Sequence, residues 1–111
     1  FKKNIYPYVM LSRAVISPSL WEDPGAVMIE AAFSNKIVLS SDCKNGPKEF
    51  LMNNKAGYLF KNDNLDSLIK SFNELIADTP EQIYKKKVFA KINSKKYTIF
   101  NHYLTLKNLL M

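Results

Sequence analysis

Residues 14–40, AVISPSLWEDPGAVMIEAAFSNKIVLS, decide the fold class of this 111-residue chain. Two apolar runs in it, residues 14–17 and 36–40, are long enough for buried strands and too short for helices. Between these runs apolar residues recur at helical spacing: Val27, Met28, Ala31 and Ala32. A strand, a helix and a second strand in this order predict a parallel β/α unit.

The start of the central helix has its own signal in the sequence. Asp23 is suited to capping a helix, and Pro24 has the fixed φ and the missing N–H that suit the first helical position. We therefore predict a loop over residues 18–23 and a helix over residues 24–33.

The same alternation continues on both sides of this unit. A helical turn is predicted over residues 6–12, a polar loop over 41–45, a short helix over 47–52, a third strand over 57–60 and a turn over 61–63. Three helices follow: an amphipathic one around residues 65–76, a basic one over 80–94 and a last one over 98–110. The pattern predicts an α/β fold with a Rossmann-like parallel sheet and flanking helices. Because a doubly wound sheet has about six strands, the missing strands are expected before Phe1.

Composition places the chain among globular proteins, since 47% of its residues are hydrophobic and it has only 3 Gly and 5 Pro. Apolar runs fall well short of the roughly 18 residues that span a bilayer. Cys43 is the only cysteine, which excludes an internal disulfide and favours the cytoplasm. The chain opens on Phe1 rather than Met, so we expect a truncated sequence.

The net charge of +6 is compatible with a polyanionic partner, a phosphate or an anionic lipid surface. The basic residues are almost all lysines spread along the chain, whereas proteins that bind nucleic acids prefer Arg. The favoured interpretation of the charge is therefore a biased amino-acid composition, and no nucleic-acid partner is expected. Three consecutive lysines occupy residues 85–87. The preferred interpretation is a solvated helix face, and the alternative is a contact with an anionic membrane.

Glu22 and Glu30 stand on either side of seven residues that contain the predicted helix start. A helix start at the carboxyl end of a parallel strand offers free N–H groups and a positive dipole, which together bind phosphate. Gly25, Ala26 and Val27 would supply those N–H groups. Carboxylates accept hydrogen bonds from vicinal hydroxyls, so the two glutamates suit a sugar on one side of a diphosphate and a ribose on the other. Chance spacing, with Glu30 on a solvated flank, is the alternative.

Several motifs around this stretch also resemble the retaining glycosyltransferases of the large family that includes glycogen and sucrose synthases and many bacterial lipopolysaccharide and capsule enzymes. The hallmark of that family is Glu, seven residues, Glu. The flanking segments similar to those of the family are residues 4–8 (NIYPY), Pro18-Ser19, residues 30–33 (EAAF), residues 40–43 (SSDC), residues 46–49 (GPKE) and residues 56–60 (AGYLF). The resemblance covers about residues 4–76 closely.

The resemblance implies the GT-B fold of two Rossmann-like domains. Residues 1–111 would be a partial carboxyl-terminal, nucleotide-sugar-binding domain, with residues 97–111 as its closing helix. The implied roles are donor-sugar binding by Glu22, Asp23 and Gly25, diphosphate binding by Gly25, Ala26 and Val27, and ribose binding by Glu30. Pro24 departs from the family pattern, since it has no N–H to donate to the donor sugar.

The resemblance also implies partners. The donor would be a nucleotide-sugar, in the first place a UDP-sugar, and the acceptor a glycan or lipid-linked glycan of the cell surface such as lipopolysaccharide or capsule. The family's Arg and Lys pair and an amino-terminal domain are expected upstream, because Arg13 is in the wrong place, so this piece alone should bind nucleotide weakly and be inactive. No metal or other cofactor is expected, and the enzyme would be cytoplasmic or peripheral on the inner face of the membrane.

Two other classes of function remain open from the sequence. One is a basic α/β module without chemistry that binds nucleic acid or lipid head groups, and the other is a nucleotide-sugar epimerase or a phosphorylase. Cys43 is interpreted as a small buried filler and His102 as a packed or surface residue.

Overall fold

The computed structural model describes residues 1–23 and 25–111, and within these ranges it has a three-stranded parallel sheet in the order β1-β2-β3. The strands are β1 (Ala14–Ser17), β2 (Ile37–Ser41) and β3 (Tyr58–Phe60). The helices are α1 (Tyr6–Leu11), α2 (Ala26–Phe33), α3 (Pro47–Phe50), α4 (Leu65–Ala77), α5 (Pro80–Ser94) and α6 (Ile99–Leu110), with a short 3-10 helix (Lys95–Tyr97) before α6. The predicted α/β architecture is confirmed.

Strand β2 lies in the middle of this sheet, and all of its residues are buried. Its register pairs Ala14 of β1 with Ile37, and Leu39 with Tyr58 of β3. Burial on both faces explains why residues 37–39 of β2 form a continuous apolar run rather than an alternating one. The prediction for β1 matches its observed bounds, that for β2 is shifted by one residue at both ends, and that for β3 begins one residue too early.

Helices cover both faces of the sheet. Because successive side chains of a strand point to opposite sides, neighbouring residues of β2 join different core clusters. Val38 joins a cluster on the side of α2 and α5, made of Met28, Ala31, Ala32, Val38, Phe50, Leu51, Ala56 and Ala90. Its neighbours Ile37 and Leu39 join a second cluster on the side of α4, made of Ile37, Leu39, Tyr58, Phe60 and Leu75. The result is a layered core in which β2 contacts both clusters.

The two long helices after the sheet begin at capping residues. Asn64 caps α4, since its side chain accepts a hydrogen bond of 2.8 Å from Ser67 N. Thr79 caps α5 in a capping box, in which Gln82 N donates to Thr79 Oγ1 (3.2 Å) and Thr79 N donates to Gln82 Oε1 (2.8 Å). These caps explain why the predicted bounds of α5 agree with the structure.

The short helix α3 ends at Phe50, so the prediction that it continues to residue 52 is wrong. Met52, Asn53 and Asn54 all have positive φ values (51°, 51° and 73°), and a right-handed helix cannot include them. Similarly, α1 ends at Leu11 rather than residue 12, because Ser12 has an extended backbone.

Lys86 is half-buried and contacts the backbone of the fold, whereas Lys85 is exposed. Its ammonium group donates to the carbonyl oxygens of Asn54 and Gly57 and lies 4.5 Å from the centroid of the Tyr58 ring. Burial lowers the pKa of Lys86, and the carboxylates of Asp78 and Glu74 oppose that shift. The prediction of one solvated face over residues 85–87 is therefore wrong for Lys86, whose contacts join α5 to the start of β3.

None of the helices in the described part of the chain combines the length and the hydropathy needed to cross a membrane.

Candidate functional site

The predicted site residues lie where the polypeptide leaves β1 and enters α2. In a parallel sheet the loops that follow the strands meet at one edge, which is the usual place for ligands. Here the loop after β1 runs beside the loop after β2, since Trp21 forms a β-bridge with Lys44 and Glu22 N donates to Lys44 O (3.3 Å). The Glu22 loop is thus anchored to the loop that follows β2.

The carboxylate of Glu22 is half-buried and is held by a hydroxyl from the sheet. Ser17, the last residue of β1, donates from Oγ to Glu22 Oε1 over 3.2 Å. Glu22 Oε2 lies on the side of Gly25, 3.7 Å from the position that a Cβ on this glycine would take. The carboxylate is therefore beside the start of α2, as the motif predicts.

Gly25 caps α2 with a left-handed backbone (φ 94°, ψ 65°) that other residues rarely adopt. A Cβ at this position would also lie 2.3 Å from Met28 Cε, a buried atom of the core. The backbone conformation therefore requires glycine here, and the flexible end of Met28 would have to shift to make space for a Cβ.

Helix α2 begins at Ala26, and the prediction that residue 25 lies within the helix is wrong. The prediction that Asp23 caps the helix is also wrong. The positive φ of Gly25 prevents the helix from extending backwards, and Gly25 takes the capping position instead. Asp23 is exposed. The interpretation of Pro24 as the first helical residue concerns a position outside the described residues.

The first N–H groups of α2 are those expected for a phosphate site. The earliest bonds back to the cap are from Met28 N to Gly25 O (3.1 Å) and from Ile29 N to the same oxygen (3.4 Å). Ala26 and Val27 come before these bonds, at positions whose N–H groups have no acceptor within a helix. Both residues are exposed at the start of the helix.

Glu30 lies one turn further along α2. Its side chain is half-buried, and the 3.6-residue period puts it on the same face as Ala26, away from the buried Met28 and Ala32. The step of four residues from Ala26 to Glu30 corresponds to about 6 Å along the axis. The structure thus places the Glu22 carboxylate beside Gly25, with Glu30 one helical turn beyond Ala26.

Asn62 and Asp42 belong to the same edge, and the sequence motif does not identify them. Asn62 Nδ2 donates to Leu20 O (3.3 Å), and Asn62 N donates to Asp42 Oδ1 (2.8 Å). Asn62 follows β3 and Asp42 follows β2, so their positions after parallel strands are the one signal that predicts their proximity.

The loop after β2 and the start of α3 place charged side chains of both signs near Glu22. Lys44 and Lys48 line an open polar hollow of about 520 Å³, together with Asp42 and Glu49. A larger hollow of about 830 Å³ lies at the opposite end of the strands, where Ala14 and Ile37 begin β1 and β2. The charged hollow, and not the larger one, adjoins the predicted site.

The remaining candidate residues are not given a role in donor binding. Cys43 is buried, with 4% of its surface exposed, as its interpretation as a filler predicts. His102 is exposed on α6. Within residues 1–23 and 25–111, His, Cys, Asp and Glu do not gather in any group of three or more that would suit a metal ion.

The chain matches known sequences over part of their length. It is 38% identical over 64 residues to a poly(ribitol-phosphate) alpha-N-acetylglucosaminyltransferase of Staphylococcus aureus (strain COL), a match that covers 58% of this chain and 13% of the relative. It is 40% identical over 50 residues to an uncharacterized glycosyltransferase of Methanocaldococcus jannaschii, a match that covers 45% of this chain and 12% of that protein. The aligned part is therefore a small fraction of each curated relative.

Solved structures share the fold. A variant of S. aureus TarM, crystallised with Fondaparinux, alpha-GlcNAc-glycerol and UDP, superposes with a TM-score of 0.82 at 27% identity, over 98% of this chain and 22% of that one. The C-terminal domain of a glycosyl transferase group 1 family protein from Francisella tularensis gives a TM-score of 0.75 at 22% identity, over 89% of this chain and 52% of that one. The predicted Rossmann-like α/β fold class is confirmed.

Residues 2–96 match the family described as Glycosyl transferases group 1. This match spans both glutamates and all three strands of the described sheet. The resemblance read from the sequence is confirmed, and the chain belongs to the glycosyl transferases group 1 family.

Proposed function

We propose that this chain is the donor-binding part of a glycosyltransferase that transfers a sugar from a nucleotide-sugar, in the first place a UDP-sugar, to a cell-surface glycan with retention of configuration. The activity belongs to the whole enzyme. In this proposal the chain supplies the groups that hold the donor.

One observation carries the proposal: the carboxylate of Glu22 lies beside the glycine-capped start of α2. A diphosphate at that helix start would accept hydrogen bonds from the N–H groups of Gly25, Ala26 and Val27 and interact with the positive end of the helix dipole. Two anions would repel each other, so the carboxylate is better suited to the hydroxyls of a sugar attached to the diphosphate than to the phosphate itself. Glu22 would therefore hold the donor sugar.

Glu30 is placed for the other end of the nucleotide. It shares one face of α2 with Ala26 and lies about 6 Å further along the axis, roughly the separation of a diphosphate from its ribose. A carboxylate accepts two hydrogen bonds from neighbouring hydroxyls, which suits the ribose diol. Asp23, exposed in the same loop, would contribute to the sugar pocket.

The comparisons support UDP as the nucleotide and a glycan as the acceptor. The TarM variant was crystallised with UDP and alpha-GlcNAc-glycerol, and the S. aureus relative is named for transfer of N-acetylglucosamine to poly(ribitol-phosphate). The acceptor of this enzyme would be a cell-surface polymer. The candidates are lipopolysaccharide, capsule and a polyol-phosphate chain similar to poly(ribitol-phosphate).

Catalysis in this proposal is electrostatic stabilisation of the leaving diphosphate. The N–H groups and dipole of α2 supply a part of it, and an Arg and Lys pair outside this chain supplies the rest. No metal takes part. The chain by itself would bind nucleotide weakly and would not turn over, since the acceptor domain also lies outside it. The whole enzyme would work in the cytoplasm or at the inner face of the membrane.

Ligand-dependent melting of the chain tests the donor site. A ligand that binds only the folded state raises the melting midpoint progressively with its concentration. We expect UDP to do so, and we expect the Glu30→Ala variant to lose the response while the variant at the exposed Glu74 on α4, Glu74→Ala, keeps it. A midpoint that rises with duplex DNA or anionic vesicles but not with UDP would instead favour a basic binding module.

A further inference from the structure

Ser17 is a buried hydroxyl at the end of β1 that the donor-binding proposal leaves without a role. Only 6% of the residue is exposed. Its Oγ contacts two side chains, Glu22 Oε1 at 3.2 Å and Ser19 Oγ at 3.3 Å.

The two contacts fix the direction of a short hydroxyl chain. A carboxylate oxygen only accepts hydrogen bonds, so the single hydrogen of Ser17 is donated to Glu22. Ser19 must then donate to Ser17 in the second contact. Hydrogen bonds in such a chain polarise and strengthen one another. The order is Ser19 to Ser17 to Glu22.

This chain occupies one oxygen of Glu22 and leaves the other directed to the site. Oε1 accepts from Ser17, whereas Oε2 is the oxygen next to Gly25. We propose that Ser17 is a positioning residue, which holds the rotation of the Glu22 carboxylate so that Oε2 faces the hydroxyls of the donor sugar. The inference rests on the proposed function, because it assigns Ser17 to the same site.

The fold itself does not require this hydroxyl. The backbone of Ser17 is paired with Ser40 in the parallel ladder, and that pairing does not depend on the side chain. The side chain has its hydrogen bonds with residues of the site loop alone. Alanine at this position should therefore leave the sheet intact and release the carboxylate.

Steady-state kinetics of the full-length enzyme test the inference. Loss of a hydrogen bond to a charged group corresponds to an increase in the KM for the UDP-sugar of about tenfold in Ser17→Ala. Ser17→Thr, which keeps a hydroxyl, should restore most of the affinity. Ser40→Ala removes a buried hydroxyl that donates to Ser41 O instead of to the site, and it should keep the wild-type KM. Melting midpoints of all variants verify that they are folded.

Two further variants separate positioning from general damage. Ser19→Ala keeps Ser17 and removes its donor, so a smaller rise of about threefold is expected, and this variant carries the test if Ser17→Ala does not fold. In a Glu22→Ala background, Ser17→Ala should have no additional effect on KM, because Ser17 acts through Glu22.

The outcomes distinguish the inference from the function on which it rests. An unchanged KM in Ser17→Ala would overturn the role of Ser17 and leave donor binding by Glu22 intact. The same conclusion would follow if Ser17→Ala raised the KM equally in the wild-type and the Glu22→Ala backgrounds. A wild-type KM in Glu22→Ala would overturn both. For the Ser19→Ala variant, a KM equal to that of the wild type counts against the hydroxyl chain.

Discussion

The side-chain amide of Asn62 donates a 3.3 Å hydrogen bond to the carbonyl oxygen of Leu20, two residues before Glu22. Its backbone N–H donates to Asp42 Oδ1 over 2.8 Å. Leu20, Asp42 and Asn62 follow β1, β2 and β3 respectively, so these two bonds join all three loops at the edge of the sheet that carries the site. The position of Glu22 therefore depends on residues far from it in sequence.

We expect Asn62→Ala to loosen the Glu22 loop without unfolding the chain. It removes the bond to Leu20 but keeps the backbone bond to Asp42, so the free energy of unfolding should fall by about 1 kcal/mol. The response of the melting midpoint to UDP should weaken as well, because the loop carries Glu22. Urea titration measures the first effect and ligand-dependent melting the second.

Asn73→Ala is a matched control, since Asn73 is exposed on α4. It should change neither quantity. If Asn62→Ala kept the full UDP response, the link between the three loops would have no part in donor binding.

Gly25→Ala should destabilise the chain and abolish the response to UDP. Alanine is strained at a φ of 94° and would lie 2.3 Å from Met28 Cε, so either the cap or the core must move. A loss of about 1–3 kcal/mol in unfolding free energy is expected from the backbone strain. Because the same residue shapes the start of α2, the phosphate-binding N–H groups would move with it.

Gly57→Ala separates these two effects. Its Cβ would lie 2.7 Å from the carbonyl oxygen of Val38, so this variant should also be destabilised, but at a place away from the Glu22 loop. The melting midpoint of Gly57→Ala should be lower than that of the wild type but should still rise with UDP. Equal loss of the UDP response in both variants would show that lower stability, and not the shape of the helix start, is responsible.

Tyr58 should make the stability of the chain fall at alkaline pH. Burial and then the hydrogen bond to Asp78 raise the pKa of Tyr58 above its ordinary value of 10.0. The folded state therefore holds this proton more tightly than the unfolded state, and the stabilisation is complete below pH 10 and is lost as the pH rises above it. Urea denaturation of wild type and Tyr58→Phe across this range measures the effect.

The variant should be less stable than the wild type at neutral pH by about 1 kcal/mol, because it lacks the bond to Asp78. This difference should shrink above pH 10, since phenylalanine has no proton to lose. Lys86 acts in the opposite direction, because a lowered pKa penalises its charged form until it deprotonates, but it is present in both proteins. A difference that is constant with pH would contradict the raised pKa of Tyr58.

The sequence predicts the elements that depend on local patterns. Apolar runs identify the strands, and Thr79 with Pro80 identifies the start of α5, because a capping box and a proline act through neighbouring residues. The motif likewise predicts that Glu22 lies beside a helix start, since both are within a few residues of each other.

Features that depend on tertiary contacts are not predictable in this way. The true start of α2 follows from the left-handed Gly25 and its contact with Met28, and the half-buried position of Lys86 follows from carbonyl groups of residues 54 and 57. In the sequence, Asn62 resembles any other turn residue. Its role is seen only in the fold, where three loops meet at one edge of the sheet. Each of these depends on contacts between residues that the local pattern does not relate.

Transfer of sugar from a UDP-sugar by the full-length enzyme tests the central claim most directly, in wild type, Glu22→Ala and Glu30→Ala. Because each carboxylate is assigned hydrogen bonds to the donor, kcat/KM should fall by roughly two orders of magnitude or more in each variant, corresponding to about 3 kcal/mol. The variant at the exposed Glu74 on α4, Glu74→Ala, should retain full activity. Wild-type turnover in both the Glu22 and the Glu30 variants would contradict the account.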